Sequence, residues 1–429
     1  MVTHKPAKLH QPSGLSNSLR YNAFPMGNRG LTQIWTWVRS PVVIFLVAFS
    51  IRLVLLAQVP SGRYWWYFYQ RNEASHIAGA LATGHGFSSP WPNTPLLPTA
   101  QQPPLYPALL AGIFKLFGVY SYRSLWIAMI LNASFAALTA VLILRIGKQS
   151  FSSFVGILAA WVWSCSLLEA AAAMRLWESS LSALLLITSV SLVVKLKSSL
   201  KMSHWILFGL LAGLAALNNT SLLALFPFFW LWLWYMHRRR GESCGRPLLA
   251  SLAICALVLT PWTIRDYHVF HRFIPIRDNF GLELWVGNRH DTDFSIENVA
   301  EFNQLGETRF MQTKRDLALE SIRAHPGHFL RAMTWRCYRY WVTPDGSAWP
   351  WISLLAWTGL VLMVRRNGFD AAPLAIVLLV FPIIYYVTHI HITYRYPIDP
   401  EILLCAAFAV VTAAQLLTRQ FKIAGERAH

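Results

Sequence analysis

The chain alternates between long apolar runs and short polar stretches, and this pattern predicts a bundle of membrane helices. Ten runs approach or exceed the roughly 18 apolar residues that an α-helix needs to cross a bilayer. They cover residues 41–59, 123–145, 151–168, 178–195, 204–218, 220–236, 247–265, 349–364, 371–388 and 400–418. Composition agrees, because 55% of the 429 residues are apolar and only 13% are charged, about half the charged share of a soluble domain. We therefore predict an all-α, multi-pass membrane protein.

The net charge of +18 is divided unevenly between the two sides of the predicted bundle. Loops on the side of the N-terminus hold 19 Lys and Arg residues and only three acidic residues. Because basic residues accumulate in cytoplasmic loops, this side is predicted to be cytoplasmic and to carry both termini. The basicity is thus a topology signal, and nucleic acid is not an expected partner.

The predicted spans divide the chain into a membrane domain, residues 41–418, between two tails. Residues 1–40 are polar and basic, have no apolar core, and are expected to be a disordered cytoplasmic tail without a secretory signal peptide. The first span then serves as an uncleaved anchor, and residues 419–429 form the second tail. Two long segments, residues 60–122 and 266–348, fall on the outer side.

The two outer segments are predicted to form a small helical cap. Helical spacing of apolar residues predicts helices over residues 70–82, 103–117, 297–324 and 327–341. The first two have the amphipathic character of helices that lie in the membrane interface.

Glu73 is the first acidic residue of the chain and follows closely on the first predicted span. A carboxylate beside the bilayer, followed by glycine and proline turns and by Tyr106, suits a membrane-embedded transferase. An acceptor hydroxyl needs a positioned base, whose contribution is typically about 10²–10⁴-fold. The alternative is that Glu73 is a solvated helix residue paired with Arg71.

Eight short motifs follow one another along residues 41–418. They are Glu73-x-x-His76, Gly84-x-Gly86-Phe87, Pro103-Pro104-Leu105-Tyr106-Pro107, Lys115-Leu116-Phe117-Gly118, Pro261-Trp262-x-x-Arg265-Asp266-Tyr267, Asn279-Phe280-Gly281-x-Glu283-Leu284-Trp285-x-Gly287-Asn288, His325-Pro326-x-x-Phe329 and Tyr394-Arg395-Tyr396-Pro397. Each motif is weak alone, but their order resembles that of GT-C fold membrane glycosyltransferases. The resemblance is to the protein mannosyltransferase and aminoarabinose transferase branch, glycosyltransferase family 39.

The resemblance implies a GT-C fold of about ten membrane helices in a bacterial inner membrane. It implies transfer of one sugar from a polyprenyl-phosphate donor to a glycan, lipid or protein acceptor on the outer face, with inversion at the anomeric carbon. Glu73 would then be the general base. The leaving phosphate needs no general acid, but its charge needs cations or oriented donors in a poorly hydrated site.

The candidates for binding the donor phosphate are Arg265, Arg395, Arg52 and Tyr394. Arginine suits this role through its bidentate contacts. For Arg265 and Arg395 the alternative is snorkelling at the interface or pairing with a neighbouring aspartate. Arg52 lies inside the first predicted span, where a charge is costly unless it is paired or faces a cavity. A structural bridge from Arg52 to Glu169 or Glu178 is its alternative role.

The candidates for binding sugar or acceptor are His76, His85, Gln102 and Tyr106. Tyr106 also offers a stacking face, or else anchors an interfacial helix. His389 and His391 line the donor site or lie in the interface.

No cofactor is required by the sequence. Asp291-Thr292-Asp293 has the spacing of a metal motif, but it lies in a polar loop without neighbouring ligands. Many relatives carry an Asp or an acidic pair where this chain has Asn72-Glu73. A single carboxylate can serve as a base but makes a poor metal site, so a divalent metal is possible but unsupported by the sequence. The five cysteines show no CxxC spacing, so neither a disulfide framework nor a zinc site is expected.

Two other functions compete with single-sugar transfer. One is a ligase or polymerase that transfers a whole glycan from a lipid pyrophosphate, which would place most phosphate-binding residues in the second outer segment and leave Glu73 dispensable. The other is a lipid-sugar flippase or transporter, which would show internal repeats and polar residues along a path through the spans.

Overall fold

The computed structural model describes residues 29–58, 68–69, 72–92, 94–288, 296–342 and 350–427. Within these ranges the backbone is predominantly α-helical, and the strand-like pairing found there is an isolated antiparallel bridge between Ser88 and Pro98. The prediction of an all-α chain is therefore confirmed.

The helices follow the apolar pattern closely. They are α1 (Arg29–Val38), α2 (Pro41–Ala57), α3 (Glu73–Ala82), α4 (Leu105–Phe117), α5 (Tyr122–Ser150), α6 (Ser153–Cys165), α7 (Leu167–Ala173), α8 (Ser179–Leu196), α9 (Met202–Asn218), α10 (Thr220–Leu223), α11 (Phe226–Arg238), α12 (Gly245–Phe270), α13 (Phe280–Asn288), α14 (Ile296–Leu305), α15 (Glu307–Ala324), α16 (Pro326–Val342), α17 (Pro350–Asn367), α18 (Ala372–Val380), α19 (Ile383–Val387) and α20 (Asp399–Arg427). Short 3₁₀ turns cover Gly368–Ala371, Ile392–Tyr394 and Tyr396–Ile398.

The chain divides into two units at Ser40. Helix α1 belongs to the N-terminal unit, so the tail predicted to be disordered contains one helix within its described part. The unit that begins at Pro41 carries all the other helices.

Among the described residues, five segments are long and apolar enough to cross a membrane, and six if the bent pair α6 and α7, which turns by 61°, counts as one span. The five are Tyr122–Ser150, Ser179–Leu196, Gly245–Phe270, Pro350–Val387 and Tyr396–Phe421. Helices α2 and α9 coincide with predicted spans and are apolar, but each has only 17 residues. The protein is a multi-pass membrane protein. The number of ten spans stays a prediction.

Small residues allow the membrane helices to approach closely. Gly147 of α5 faces Gly156 of α6, and a Cβ on either glycine would overlap the backbone of the other helix. Gly359 of α17 lies in the same way against the carbonyl group of Cys405 in α20. Such glycine contacts are typical of helix packing in membranes, where close van der Waals contact replaces the hydrophobic driving force.

The second outer segment is helical as predicted, with one correction. The predicted helix over residues 297–324 is two helices, because Gly306 has a φ of 73° and interrupts the helix between α14 and α15. The residues on either side retain helical spacing, so the periodicity alone did not reveal the break. A positive φ costs glycine little, and this makes Gly306 the natural place for the turn.

The two outer segments are joined by hydrogen bonds to the backbone of Ala100 and Gln101. The N–H of Ala100 donates to Oε1 of Glu307 at 2.6 Å. The N–H of Asp278 donates to the carbonyl oxygen of Ala100 at 3.0 Å, and Nε of Arg277 donates to that of Gln101 at 2.6 Å. The loop before α4 is thus held against the second outer segment, which places residues from both segments at one site.

Candidate active site

A cavity of about 600 Å³ lies where the two outer segments meet the ends of the membrane helices. One wall is apolar and comes from α11, α18 and α19, including Phe228, Phe381 and Ile384. The opposite wall is polar and is lined by Gln102, Glu178, Asn219, Ser221, Arg277, Asn279, Glu283, Thr388, Thr393 and Tyr394. A cavity of this size with an apolar wall and a few converging polar groups has the character of a ligand site.

Glu73 is the first residue of α3, and Asn72 fixes its position. The side-chain oxygen of Asn72 accepts a hydrogen bond from the backbone N–H of Ser75 at 3.3 Å, which caps the helix. The amide of the same side chain donates to the carbonyl oxygen of Leu176, in the loop before α8. The start of α3 is thus tied to the loop that carries Glu178.

The Glu73 carboxylate is partly buried and lies one hydrogen bond from the cavity. Its Oε1 accepts from Nε1 of Trp91 at 3.0 Å, and its Oε2 accepts from the amide of Gln102, which lines the cavity. Burial raises the pKa of Glu73 above its ordinary value, and the positive charge of Arg277 and the two hydrogen bonds offset only part of this rise. A carboxylate of raised pKa is a stronger base than one in water.

Arg277 is the one Lys or Arg among the described residues that line the cavity. Its Nη2 lies 3.4 Å from Oε1 of Glu283, which also accepts a hydrogen bond from Asn279 at 2.5 Å. Burial would raise the pKa of Glu283, but hydrogen bonding to His389 and the charge of Arg277 bring it below its ordinary value. Glu283 is therefore ionised, and it contacts both Arg277 and His389.

His389 joins Glu283 to Tyr394. Its Nδ1 lies 2.9 Å from Oε2 of Glu283, and its Nε2 lies 3.1 Å from the hydroxyl of Tyr394. The ring of Tyr394 stacks on that of Tyr385 at 4.7 Å between centroids, and the hydroxyl of Tyr385 donates to Ser221 at 3.2 Å. This row of side chains forms an ordered polar edge next to the apolar wall.

Glu178 adds a second carboxyl group to the cavity wall, directly before α8. Burial raises its pKa to about 7. The group therefore changes its protonation state close to neutral pH.

Arg336 of α16 holds two helices near the cavity, α13 and α19, together by hydrogen bonds. Its Nε donates to the carbonyl oxygen of Tyr386 at 2.7 Å, its Nη2 donates to Oδ1 of Asn288 at 3.0 Å, and its Nη1 donates to the carbonyl oxygen of Gly287. Desolvation lowers the pKa of Arg336 to about 10. These bonds fix α13, which carries Glu283, against α19.

Residues 101–264 match the family model described as dolichyl-phosphate-mannose-protein mannosyltransferase. No curated protein matches the sequence. The chain is similar to the solved structure of the Archaeoglobus fulgidus oligosaccharyltransferase in complex with Zn and sulfate, with a TM-score of 0.58, 13% identity, and coverage of 90% of this chain and 51% of that one. The structure of the oligosaccharyltransferase AglB from Archaeoglobus fulgidus with an inhibitory peptide and a dolichol-phosphate gives a TM-score of 0.56, 13% identity, and coverages of 92% and 52%. The chain has the GT-C fold.

The GT-C fold confirms the architecture expected from the ordered motifs, and the family match confirms the mannosyltransferase resemblance over residues 101–264. The chain spans about half the length of the archaeal oligosaccharyltransferase. The likeness to ArnT from Cupriavidus metallidurans bound to undecaprenyl phosphate is weaker, with a TM-score of 0.48, 14% identity, and coverage of 86% of this chain and 59% of that one.

On the GT-C fold, three of the residues singled out in the sequence come together. Gln102 and Tyr394 line the cavity, and Glu73 is hydrogen-bonded to Gln102. Each of the three comes from a different part of the chain.

Arg265, a candidate for the donor phosphate, lies elsewhere. Its guanidinium donates to the carbonyl oxygens of Thr99 and Phe87 at 2.8 and 3.0 Å, and it pairs with Asp266 at 2.7 Å. Its contacts hold the first outer segment to the end of α12.

Arg395 and Arg52, the other two arginine candidates, are both buried away from the cavity. Nε of Arg395 donates to Asp399 at 2.8 Å, and its Nη1 donates to Ser353 at 3.2 Å. Nη1 of Arg52 donates to the carbonyl oxygen of Ala48 at 2.9 Å, while its Nε and Nη2 have no hydrogen-bond partner among the described residues.

The remaining sugar-binding candidates do not line the cavity as described. Nδ1 of His85 lies 2.9 Å from the hydroxyl of Thr83, on an exposed surface. The ring of His76 lies 6.4 Å from that of Tyr120. Tyr106 is buried, and its hydroxyl accepts a hydrogen bond from Nδ2 of Asn132 at 2.9 Å.

The Asp291-Thr292-Asp293 stretch lies outside the described residues. Within the described ranges, no three His, Cys, Asp or Glu side chains converge in a way that would hold a metal ion.

Sequence reasoning did not single out Arg277, considered Glu178 only as a partner of Arg52, and placed Glu283 in a motif without a role. The available signal was the sequence Arg277-Asp278-Asn279, a polar stretch directly before the apolar start of α13. Charged residues are dense throughout this outer segment, so only the fold distinguishes Arg277 from its neighbours.

Proposed function

We propose that this protein is a membrane glycosyltransferase that moves a single sugar from a polyprenyl-phosphate donor to an acceptor hydroxyl, with inversion at the anomeric carbon. The observation that carries the proposal is the composition of the cavity. An apolar wall faces a polar wall with one cation, and a carboxylate of raised pKa lies one hydrogen bond away.

Glu73 is the proposed general base. As the acceptor oxygen attacks the anomeric carbon, Glu73 takes the hydroxyl proton, and the bond from that carbon to the phosphate oxygen breaks on the opposite face. The hydrogen bonds from Trp91 and Gln102 fix the carboxylate, which leaves its remaining lone pairs to accept this proton.

Arg277 is the proposed ligand of the donor phosphate, in place of the arginines proposed from the sequence. Its contact with Glu283 at 3.4 Å is long for a charge-assisted hydrogen bond, so it retains donors for a phosphate oxygen. In a poorly hydrated cavity, a fixed cation stabilises the charge that develops on the leaving group.

The apolar wall formed by α11, α18 and α19 suits the first isoprene units of a lipid carrier. Its side chains include Val380, Phe381, Ile383 and Ile384, and a soluble nucleotide sugar would leave this surface without a partner. The polar edge formed by His389, Tyr394 and Ser221 offers hydrogen bonds to the sugar hydroxyl groups.

The test is a sugar-transfer assay with purified protein in lipid nanodiscs and a panel of polyprenyl-phosphate monosaccharides. The expected result is release of polyprenyl phosphate with at least one donor, together with a strong loss of release in the Arg277→Ala variant. A matched control is Arg315→Ala, which removes a partly exposed arginine of α15 that does not line the cavity.

A donor carrying a whole glycan on a lipid pyrophosphate belongs in the same panel. Turnover with this donor alone would replace single-sugar transfer by glycan ligation. No turnover with any donor by a folded protein would overturn the proposed function.

A further inference from the structure

A second cavity, of about 560 Å³, lies at the other end of the helix bundle. It is lined by the ends of α5, α8 and α17 and by the start of α18. Helix α8 connects the two cavities, since Ser179 lines the first and Lys197, directly after the helix, lines the second. Its 18 residues rise about 27 Å, which is close to the thickness of the hydrocarbon core. The two cavities therefore open toward opposite membrane surfaces.

The charges that line the second cavity leave one cation without a counterion. Lys197 pairs with Asp370 at 2.6 Å. Arg366 is exposed and has no ion pair among the described residues. The lining thus carries a surplus of one positive charge, which matches the single negative charge of a phosphodiester.

Neutral hydrogen-bonding groups stand beside these charges. Oγ of Ser150, at the end of α5, is buried and has no hydrogen-bond partner among the described residues. Gln149 and Asn367 also line the cavity. A hydroxyl without a partner and an unpaired guanidinium in the lining of one cavity are the groups expected where an anion completes the hydrogen bonds.

The rest of the lining is apolar and includes Ile146, Val190, Val194 and Leu374. A ligand that suits both the charged and the apolar parts of the lining has a phosphodiester and hydrocarbon chains, as a phospholipid does. The basic residues that surround this end, among them Arg238, Arg239 and Arg240, disfavour a headgroup with a positive charge of its own. The predicted topology places this surface in the cytoplasmic leaflet, where anionic lipids are enriched.

We propose that the second cavity binds the headgroup of an anionic phospholipid, with Arg366 and Ser150 as ligands of its phosphate. The site is separate from the proposed reaction and does not depend on it. Binding there would join α5, α8 and α17 at the cytoplasmic surface.

The experiment measures the thermal unfolding midpoint of the detergent-purified, full-length protein as a function of added short-chain lipid. Dioctanoyl phosphatidylglycerol is the probe, and dioctanoyl phosphatidylcholine and inorganic phosphate are the comparison ligands. The variants are Arg366→Ala and Ser150→Ala, with Arg365→Ala as the matched control. Arg365 is the adjacent exposed arginine of α17, and it does not line the cavity.

The expected result is saturable stabilisation by phosphatidylglycerol that exceeds stabilisation by phosphatidylcholine. Arg366→Ala should raise the phosphatidylglycerol concentration needed for half of the full stabilisation by about fivefold or more, since one basic side chain contributes about 1 kcal/mol near an anionic surface. Ser150→Ala should act in the same direction and Arg365→Ala should not. Three outcomes would overturn the lipid site. The two arginine substitutions could have equal effects, or the two lipids could stabilise the protein equally. The third is an Arg366-dependent stabilisation by inorganic phosphate that is as large as that by the lipid.

Discussion

Replacing Glu73 by Gln tests the proposed chemistry with little change in shape. The two side chains are nearly isosteric, and Gln can still accept the hydrogen bond from Nε1 of Trp91 at 3.0 Å. At the other oxygen, the new amide would face the amide of Gln102, which can rotate and accept instead. Burial already disfavours the charged form of Glu73, so the neutral substitute relieves part of that cost. We expect a change in unfolding free energy of no more than about 1 kcal/mol.

The loss in rate should be far larger than the loss in stability. A general base contributes typically about 10²–10⁴-fold, which corresponds to about 3–5 kcal/mol of activation free energy. The assay is single-turnover release of polyprenyl phosphate in nanodiscs with the enzyme in excess over the donor, because this condition separates the chemical step from product release.

The control for Glu73→Gln is Glu320→Gln, the same substitution at an exposed position of α15. It should leave both the rate and the unfolding midpoint unchanged. A Glu73→Gln variant that folds normally and turns over close to the wild-type rate would refute the base assignment. The search would then move to Glu178, which lines the cavity and whose pKa is also raised by burial.

The remaining predictions concern pH, the phosphate ligand and packing. Because the base must be ionised and the pKa of Glu73 is raised, the acidic limb of the rate profile should have its midpoint above that of an ordinary carboxyl group, and this limb should disappear in Glu73→Gln. Arg277→Ala should lower kcat/KM by about 10- to 100-fold, as expected for the loss of a charged hydrogen bond, and Arg277→Lys should restore part of it. Burial raises the pKa of Glu307 to about 7 from its ordinary 4.5, so its contribution to stability is present at low pH and is lost as the pH rises across that interval. In Glu307→Gln the unfolding midpoint should therefore depend less on pH between these values. Gly287→Ala would force a Cβ against the carbonyl oxygen of Thr388 and should destabilise the cavity wall by about 1–3 kcal/mol, measured as a lower unfolding midpoint than for Gly327→Ala, where the space is open.

The membrane architecture was readable from the sequence because it depends on local composition. A helix such as α5 or α12 must be apolar over its whole length to lie in lipid, so hydropathy alone locates it. The start of α3 was equally local, since Asn72 is a preferred helix cap and Glu73 suits the first turn. Gly306 shows the limit of periodicity, because residues on both sides of the break keep helical spacing.

The selection of Arg277 over Arg265 and Arg395 depended on contacts that no local pattern records. Each arginine lies near the outer end of a span or in an outer segment, and each was a reasonable phosphate ligand by position. Arg265 donates to two backbone carbonyl groups and pairs with Asp266. Arg395 donates to Asp399 and to the hydroxyl of Ser353, whereas Arg277 lines the cavity.

The sequence by itself determined the helical membrane fold. It also predicts the side that carries the basic loops and a position next to the bilayer for Glu73. These properties follow from hydrophobicity and charge, which act residue by residue. The tertiary structure decided which polar groups come together at the cavity, because Glu73 and Glu283 lie 210 positions apart in the chain. Their meeting results from the packing of the first outer segment, at Ala100 and Gln101, against the second, and long-range contacts of this kind have no periodic signature in the sequence.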